Sequence, residues 1–318
     1  MYFLIGINDN MLSLKDLSYL AALDELGHFG KAAEACHVSQ PTLSGQLKKL
    51  QQQLGIKLIE RGSKKVILTH EGQEIAQRAK AMVLQAYEIE EFARASTTPL
   101  TGRLKLAVIP SLAPYLMAKT GSIVNTLLPE LSIELHELET YELLRQLRSG
   151  DIDVGILVLP QTQSGLRSLS LWQERLWLGV GHNHEWAQKK QVTRAELAGT
   201  DLILLKEGHC LADQAQQLCQ IKSQSQAFRG ASLETLRYMV SAGNGATLVP
   251  QLTMDAWLSH GDDRIIYIPI TEPKQAREIG FLARSGSAYW PCVEALHNAM
   301  AGVLPDVSEG TQTVPLII

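Results

Sequence analysis

The sequence predicts an α/β protein in which a helical N-terminal module precedes a longer region of alternating strands and helices. Three observations carry this. Short amphipathic helices separated by tight turns fill most of the first seventy residues. A long segment then repeats apolar residues in steps of four and three. From Arg103 onward, short apolar runs alternate with helical patterns, the grammar of a mostly parallel sheet covered on both faces. At 318 residues the length allows two or three domains.

The first helix spans residues 14–26, with Leu17, Leu20, Ala21 and Leu26 on its apolar face, and residues 27–30 end it. Residues 31–36 are alanine-rich and helical, and His37-Val38 turns the chain. Ser39 is placed as an N-cap, with Pro41 just inside the next helix, where a missing N–H costs nothing. That helix runs to about Leu54, buries Leu43, Leu47 and Leu50, and stops at Gly55. Its outer face shows Gln40, Thr42, Ser44, Gln46, Lys48 and Lys49. Helix, short turn and helix with a polar, basic outer face is a helix-turn-helix pattern. Ser39, Gln40, Pro41, Thr42 and Ser44 would sit at the end nearest base edges, with Lys48 and Lys49 at phosphates. Residues 58–68 read as two short strands around a basic turn. They form a wing that presents Arg61, Lys64 and Lys65 to the nucleic-acid backbone or minor groove.

Thr69 caps a helix reaching to about Arg94, with Glu71 in its first turn. Ile75, Ala79, Met82, Ala86, Ile89 and Ala93 recur about every 3.5 residues, the seam of a coiled coil, so a homodimer is expected through this helix. Residues 96–102 read as a hinge. Beyond it, strands are expected at residues 104–109, 133–138, 153–159, 176–180, 202–205, 246–249, 265–268 and 279–283. Helices are expected after Pro110, at 141–149 and 233–242, and at 293–303. Gly243-Asn244-Gly245 is a tight turn and not a nucleotide fingerprint, because no helix opens from it.

The net charge of −4 argues against a nucleic-acid binder, but its distribution reverses the argument. Between His28 and His70 stand Lys31, Lys48, Lys49, Lys57, Arg61, Lys64 and Lys65, against Glu34 and Glu60. No apolar run approaches the roughly 18 residues that would span a bilayer, and the first residues lack the basic start of a signal peptide. A cytoplasmic protein without membrane contact is expected. Four cysteines without a CxxC pair suggest neither a disulfide framework nor zinc. No nucleophile–base pair or phosphate loop is evident, so no enzyme, metal or cofactor is expected.

Two of the four cysteines, Cys210 and Cys219, lie in one stretch, residues 208–219. Leu211, Ala215 and Leu218 have helical spacing, which puts Cys210 at a helix N-terminus. There the helix dipole would lower the thiol pKa, and His209 could donate a hydrogen bond or a charge. Residues nine apart in an intact helix are separated by roughly 13 Å along its axis. A disulfide needs Cα atoms within about 7 Å. Bridging the pair therefore requires unwinding. The cysteines are either small packing residues or a switch, and their spacing leaves both readings open.

The run Phe29-Gly30-Lys31-Ala32-Ala33-Glu34-Ala35-Cys36-His37-Val38-Ser39-Gln40-Pro41-Thr42-Leu43-Ser44, with Leu54-Gly55 and Leu58-Ile59-Glu60-Arg61, resembles the winged helix-turn-helix of LysR-type transcriptional regulators. The resemblance implies operator DNA as partner, contact with RNA polymerase, and a homodimer assembling into a homotetramer. It also implies an effector domain of two α/β subdomains around a cleft, like periplasmic binding proteins. The expected divisions are an extension over 1–11, the winged helix-turn-helix over 12–68, a linker helix over 69–95 and a hinge over 96–102. The effector domain follows over 103–303 (subdomain I 103–165 and 269–303; subdomain II 166–268), then a tail over 304–318.

Gly208-His209-Cys210-Leu211, Asp213-Gln214 and Cys219 further resemble the peroxide-sensing members of that family. That implies an activator of the oxidative-stress response, with hydrogen peroxide as signal, Cys210 as the reactive thiol and Cys219 as its disulfide partner. Ser111, Thr140, His209 and Asp213 would line the peroxide pocket. Two departures stand out: Ala212 replaces a usual arginine and Ser111 a usual threonine. The alternative is a regulator controlled by a small metabolite in the cleft, its cysteines merely structural.

Overall fold

The computed structural model describes residues 11–60, 66–98, 100–161, 164–197, 202–219, 229–271 and 276–304, the side chains of Glu91, Ala95, Ser96 and residues 216–219 excepted. Its backbone divides into two compact units, residues 1–93 and 94–318.

In the first unit, α1 (Leu14–Leu26) starts at Ser13, whose Oγ accepts from Lys15 N–H, and ends at Gly27 with φ +59°. Its buried face is Leu17, Tyr19, Leu20 and Leu23, whereas Leu26, expected inside, is exposed. The next helix, α2 (Phe29–Ala35), opens earlier than the sequence suggests. His28, read as part of a terminator, is its N-cap: Nδ1 accepts from Gly30 and Lys31 N–H at 3.0 and 3.3 Å. Helix α3 (Gln40–Leu54) has Ser39 as N-cap and Gly55 as its left-handed stop. Leu43, Leu47 and Leu50 pack with Tyr19, Leu20, Leu23, Ala32 and Ala33 in one small core. The wing shows a single antiparallel bridge, Ile59 with Leu68, among its described residues. Thr69 Oγ1 accepts from Gly72 N–H to start α4 (His70–Thr97). Of the expected seam, Ala79 is buried in the chain, while Met82 and Ile89 are exposed, joined by Tyr87 and Phe92. The helix runs through Thr97, into the residues expected as a hinge.

The second unit begins with β1 (Gly102–Val108), α5 (Ala113–Leu127), β2 (Leu131–Glu137), α6 (Thr140–Ser149) and β3 (Val154–Leu159). The chain continues through β4 (Leu166–Gly181), α7 (Arg194–Leu197), β5 (Leu204–Leu205), α8 (Cys210–Cys219), β6 (Arg229–Gly230) and α9 (Leu233–Ser241). It ends with β7 (Ala246–Pro250), α10 (Gln251–Ser259), β8 (Ile265–Pro269), β9 (Ala276–Arg284) and α11 (Trp290–Ala301). The main sheet has the order β2-β1-β3-β9-β4-β7, with β8 also on β4, and β5 pairs β6 separately.

This corrects the expectation of largely parallel sheets. Only β1–β2, β1–β3 and β5–β6 are parallel. The pairs β3–β9, β4–β9, β4–β7 and β4–β8 are antiparallel. The reason is the pair of long strands on which the chain leaves the first half and returns to it. They lie side by side in opposite directions, from Leu166 opposite Arg284 to Arg175 opposite Ala276. Beyond that register β4 continues alone and takes β7 and β8 as partners.

Candidate functional site

Three connections of the second unit converge on Cys210. The first is the β1–α5 turn, which carries Ser111, 3 % exposed. Its hydroxyl does not cap α5: the N-cap position is Leu112, which makes no side-chain cap bond. It accepts instead from Arg277 Nη1 at 3.0 Å. The second is the start of α6. Thr140 is its first residue and Glu139 its N-cap, again without a side-chain cap bond. Thr140 Oγ1 is buried and has no well-aligned hydrogen-bond partner. The third is the segment leading into α8. Gly208 adopts φ +100°, a backbone conformation that favours glycine, and it lies against the Glu139 carboxylate.

Helix α8 is continuous from Cys210 to Cys219. Leu211 and Ala215 are buried, as their spacing anticipated, and Ala212 is buried with them; the Leu218 and Cys219 side chains lie outside the described residues. A continuous helix holds the two cysteine backbones roughly 13 Å apart along its axis, about twice the reach of a disulfide.

The electrostatics differ from the sequence expectation. Burial raises the Cys210 pKa and outweighs what favours the thiolate, namely the Arg277 charge and the Thr140 and Ser111 hydroxyls. A helix N-terminus alone would lower it, but desolvation of a packed thiol is the larger effect. Asp213 lies exposed on the first turn of α8, and its negative charge works against ionisation. His209 is 5 % exposed, and burial lowers its pKa. Burial thus works against a charge on this imidazole. Its Nε2 lies 3.6 Å from Glu139 Oε1, which also takes Lys206 Nζ at 2.9 Å.

Sequence reasoning missed Arg277 and Glu174. Arg277 approaches from β9 and is the cation whose charge favours the Cys210 thiolate most. The arginine absent at Ala212 is thus matched by one much further along the chain. Glu174 Oε2 accepts from Arg277 Nε at 2.7 Å, with both side chains 1 % exposed. The signal was present: Glu174 shares the buried face of β4 with Trp172 and Leu176, an acidic residue in an apolar period-two pattern. Arg277 Nη2 and Gln214 Oε1 are also buried without hydrogen-bond partners, like Thr140 Oγ1, and His209 Nε2 has only the longer approach to Glu139. The site therefore has the polar atoms to receive a small molecule that both donates and accepts hydrogen bonds.

In the first unit, Ser39, Gln40, Pro41, Thr42, Ser44, Lys48 and Lys49 are all exposed. Ser39 Oγ is engaged by Thr42 N–H at 3.3 Å and by Thr42 Oγ1 at 2.8 Å, so these two hydroxyls shape the helix start first. Arg61, Lys64 and Lys65 lie outside the described residues. Among the described residues no group of three or more His, Cys, Asp or Glu could hold a metal ion, and no helix is long and apolar enough to cross a membrane.

Two family models match the chain. Residues 14–73 match the bacterial regulatory helix-turn-helix protein, lysR family, and residues 97–305 the LysR substrate binding domain. The DNA-binding transcriptional dual regulator OxyR of Escherichia coli is 38 % identical over 297 residues, 92 % of this chain and 97 % of its own. A full-length cysteine-to-aspartate variant of OxyR from Pseudomonas aeruginosa is similar with a TM-score of 0.75 at 31 % identity, covering 91 % of this chain and 95 % of that one. A cysteine-to-serine variant of OxyR from Corynebacterium glutamicum, bound to hydrogen peroxide, is similar with a TM-score of 0.61 at 32 % identity over 92 % of both chains.

Proposed function

Since the chain belongs to the LysR family of bacterial transcriptional regulators, on its OxyR branch, we propose that it is a DNA-binding regulator switched by hydrogen peroxide through Cys210 and Cys219. It is a regulator and not an enzyme. The observation that carries the reading is the set of unpartnered buried polar atoms around one thiol, at the first residue of a helix that ends at the second cysteine.

Peroxide fits such a pocket because each of its oxygens both donates and accepts. Thr140 and Ser111 offer hydroxyls, and Arg277 Nη2 offers a free donor to the oxygen that becomes negative. The Cys210 thiolate attacks one peroxide oxygen. An S–O bond forms, the O–O bond breaks, and the departing hydroxide takes up a proton to become water. Sulfur is oxidised by two electrons and peroxide reduced by two. Unwinding of α8 then brings Cys219 to the sulfenic acid. Its thiolate attacks Cys210 sulfur, the S–O bond breaks, and the oxygen leaves as water with the protons of both partners. The disulfide fixes the unwound segment, and the altered effector domain changes how the α3 helices of a dimer engage operator DNA. The exposed apolar residues of α4 support that dimer. A tetramer and contact with RNA polymerase follow from family likeness.

The test is intact-protein mass spectrometry after anaerobic reduction and one equivalent of peroxide, with peptide mapping. Rapid loss of two hydrogen atoms, mapped to a Cys210–Cys219 bridge and absent in Cys210→Ser, is expected. A chain that stays reduced would return the question to a metabolite in the effector domain.

A further inference from the structure

Glu174 binds Arg277 through Nε and has no part in the chemistry above. Its two oxygens are both committed: Oε2 accepts from Arg277 Nε at 2.7 Å, and Oε1 accepts from the Leu252 N–H in the first turn of α10 at 2.8 Å. Arg277 gives Nη1 to Ser111 at 3.0 Å, and its Nη2 is buried without a hydrogen-bond partner. The charges facing Cys210 are therefore Arg277 from β9 and Asp213 on its own helix, beside the Ser111 and Thr140 hydroxyls. His209 next to it faces Glu139 and Lys206.

Charge balance in this buried site gives Glu174 a function. With the thiol protonated, the Glu174 carboxylate and the Arg277 guanidinium cancel. Ionising the thiol places a second anion against the same cation, and a buried net negative charge is disfavoured. With the carboxylate neutralised, the thiolate would become the guanidinium's counterion and the pair would cancel again. We propose that Glu174 is a positioning residue that sets the peroxide threshold of Cys210, by competing with its thiolate for the guanidinium of Arg277. The carboxylate keeps the guanidinium aimed at the pocket while withholding part of its charge. The resting sensor is thereby held as thiol, and its α10 contact makes the threshold responsive to that helix's position. This rests on the peroxide reading for its purpose, not for its electrostatics.

The test measures the alkylation rate of Cys210 against pH in the full-length reduced chain, resolved from the other cysteines by peptide mass spectrometry. In Glu174→Gln the midpoint is expected to fall by about one pH unit or more. At a pH below both midpoints, Cys210 then alkylates about tenfold faster for each pH unit by which the midpoint has fallen. In an Arg277→Gln background the same substitution is expected to move nothing. Should Glu174→Gln not fold, Glu174→Asp takes its place. It keeps the anion but draws it back from the guanidinium, and a smaller fall of the midpoint is expected. An unchanged or raised midpoint, or an equal fall without Arg277, overturns the proposal. Alkylation needs no peroxide. A lowered midpoint in a chain that peroxide does not oxidise refutes the peroxide reading alone, and an unmoved midpoint in a chain that peroxide does oxidise refutes this proposal alone.

Discussion

Substituting Leu211 by alanine offers a direct reading of what the switch must break. Leu211 is 3 % exposed and is the largest buried side chain among the described ones of α8, beside Ala212 and Ala215. Truncating a buried leucine to alanine costs about 2–5 kcal/mol, set by how far the site can collapse. That penalty falls on the reduced state, where the helix is docked. If forming the disulfide unwinds α8 and lifts Leu211 from its pocket, the oxidised state is spared. The balance between the two states then shifts toward the disulfide by the same amount. For a two-electron couple about 1.4 kcal/mol corresponds to 30 mV, so Leu211→Ala is expected to make the Cys210–Cys219 potential more negative by about 40–110 mV. The assay is equilibration in dithiothreitol buffers of graded ratio, acid quenching, alkylation, and quantitation of the bridged peptide. A potential that stays put or becomes less negative would show that the helix is not consumed in forming the bond, and the unwinding argument would be wrong.

Two further outcomes follow from the first unit. Replacing Lys48 and Lys49 on the exposed face of α3 by alanine is expected to weaken binding to operator and random duplexes alike, and to reduce the slope of log affinity against log salt by about two for each copy of α3 on the DNA. An unchanged slope would remove these lysines from the phosphate contacts. Ile89, 72 % exposed on α4, is expected to be buried only between copies of the chain, so Ile89→Asp should lower the sedimenting mass in analytical ultracentrifugation at micromolar concentration. A variant that sediments as the parent does would displace the seam from this face.

What the sequence made legible was local. Ser39 and Gly55 announced the ends of α3, and the positions of Leu43, Leu47 and Leu50 announced its buried face, because caps and periodicity act within a few residues. The linker helix and the helical nature of residues 210–219 were legible for the same reason. His28 was not, since histidine seldom caps a helix and its side chain does so here only in competition with a turn. Helix α10 was overlooked because it begins directly after β7, with no polar cap to mark it. The antiparallel centre of the sheet was illegible, as strand direction between β4 and β9 depends on partners more than a hundred residues apart. The same distance hid the Glu174–Arg277 pair. It also explains the misjudged thiol: the sequence shows that a cysteine begins a helix, but not how far the residues packed around it desolvate it.

If Cys210 and Cys219 form the proposed disulfide, the unbroken path of α8 between them has a consequence in time. A metabolite held by hydrogen bonds leaves when its concentration falls, and its message fades with it. A helix that must come apart before its two ends can join behaves as a latch with memory. Once joined, its state outlives the oxidant and persists until a reductant intervenes, so the duration of the response belongs to the cell's thiol supply and not to the stimulus. The same helix imposes a race on the way in. On that mechanism a sulfenic acid at Cys210 would wait for the helix to open, and a second oxidant molecule that arrived first would drive the sulfur to sulfinic acid, beyond recovery by simple thiols. Loosening the helix would speed capture of the signal and protect the sensor at high dose. On the proposed mechanism, the packing of Leu211 and Ala215, both buried, would set the range of oxidant over which the device can be used twice.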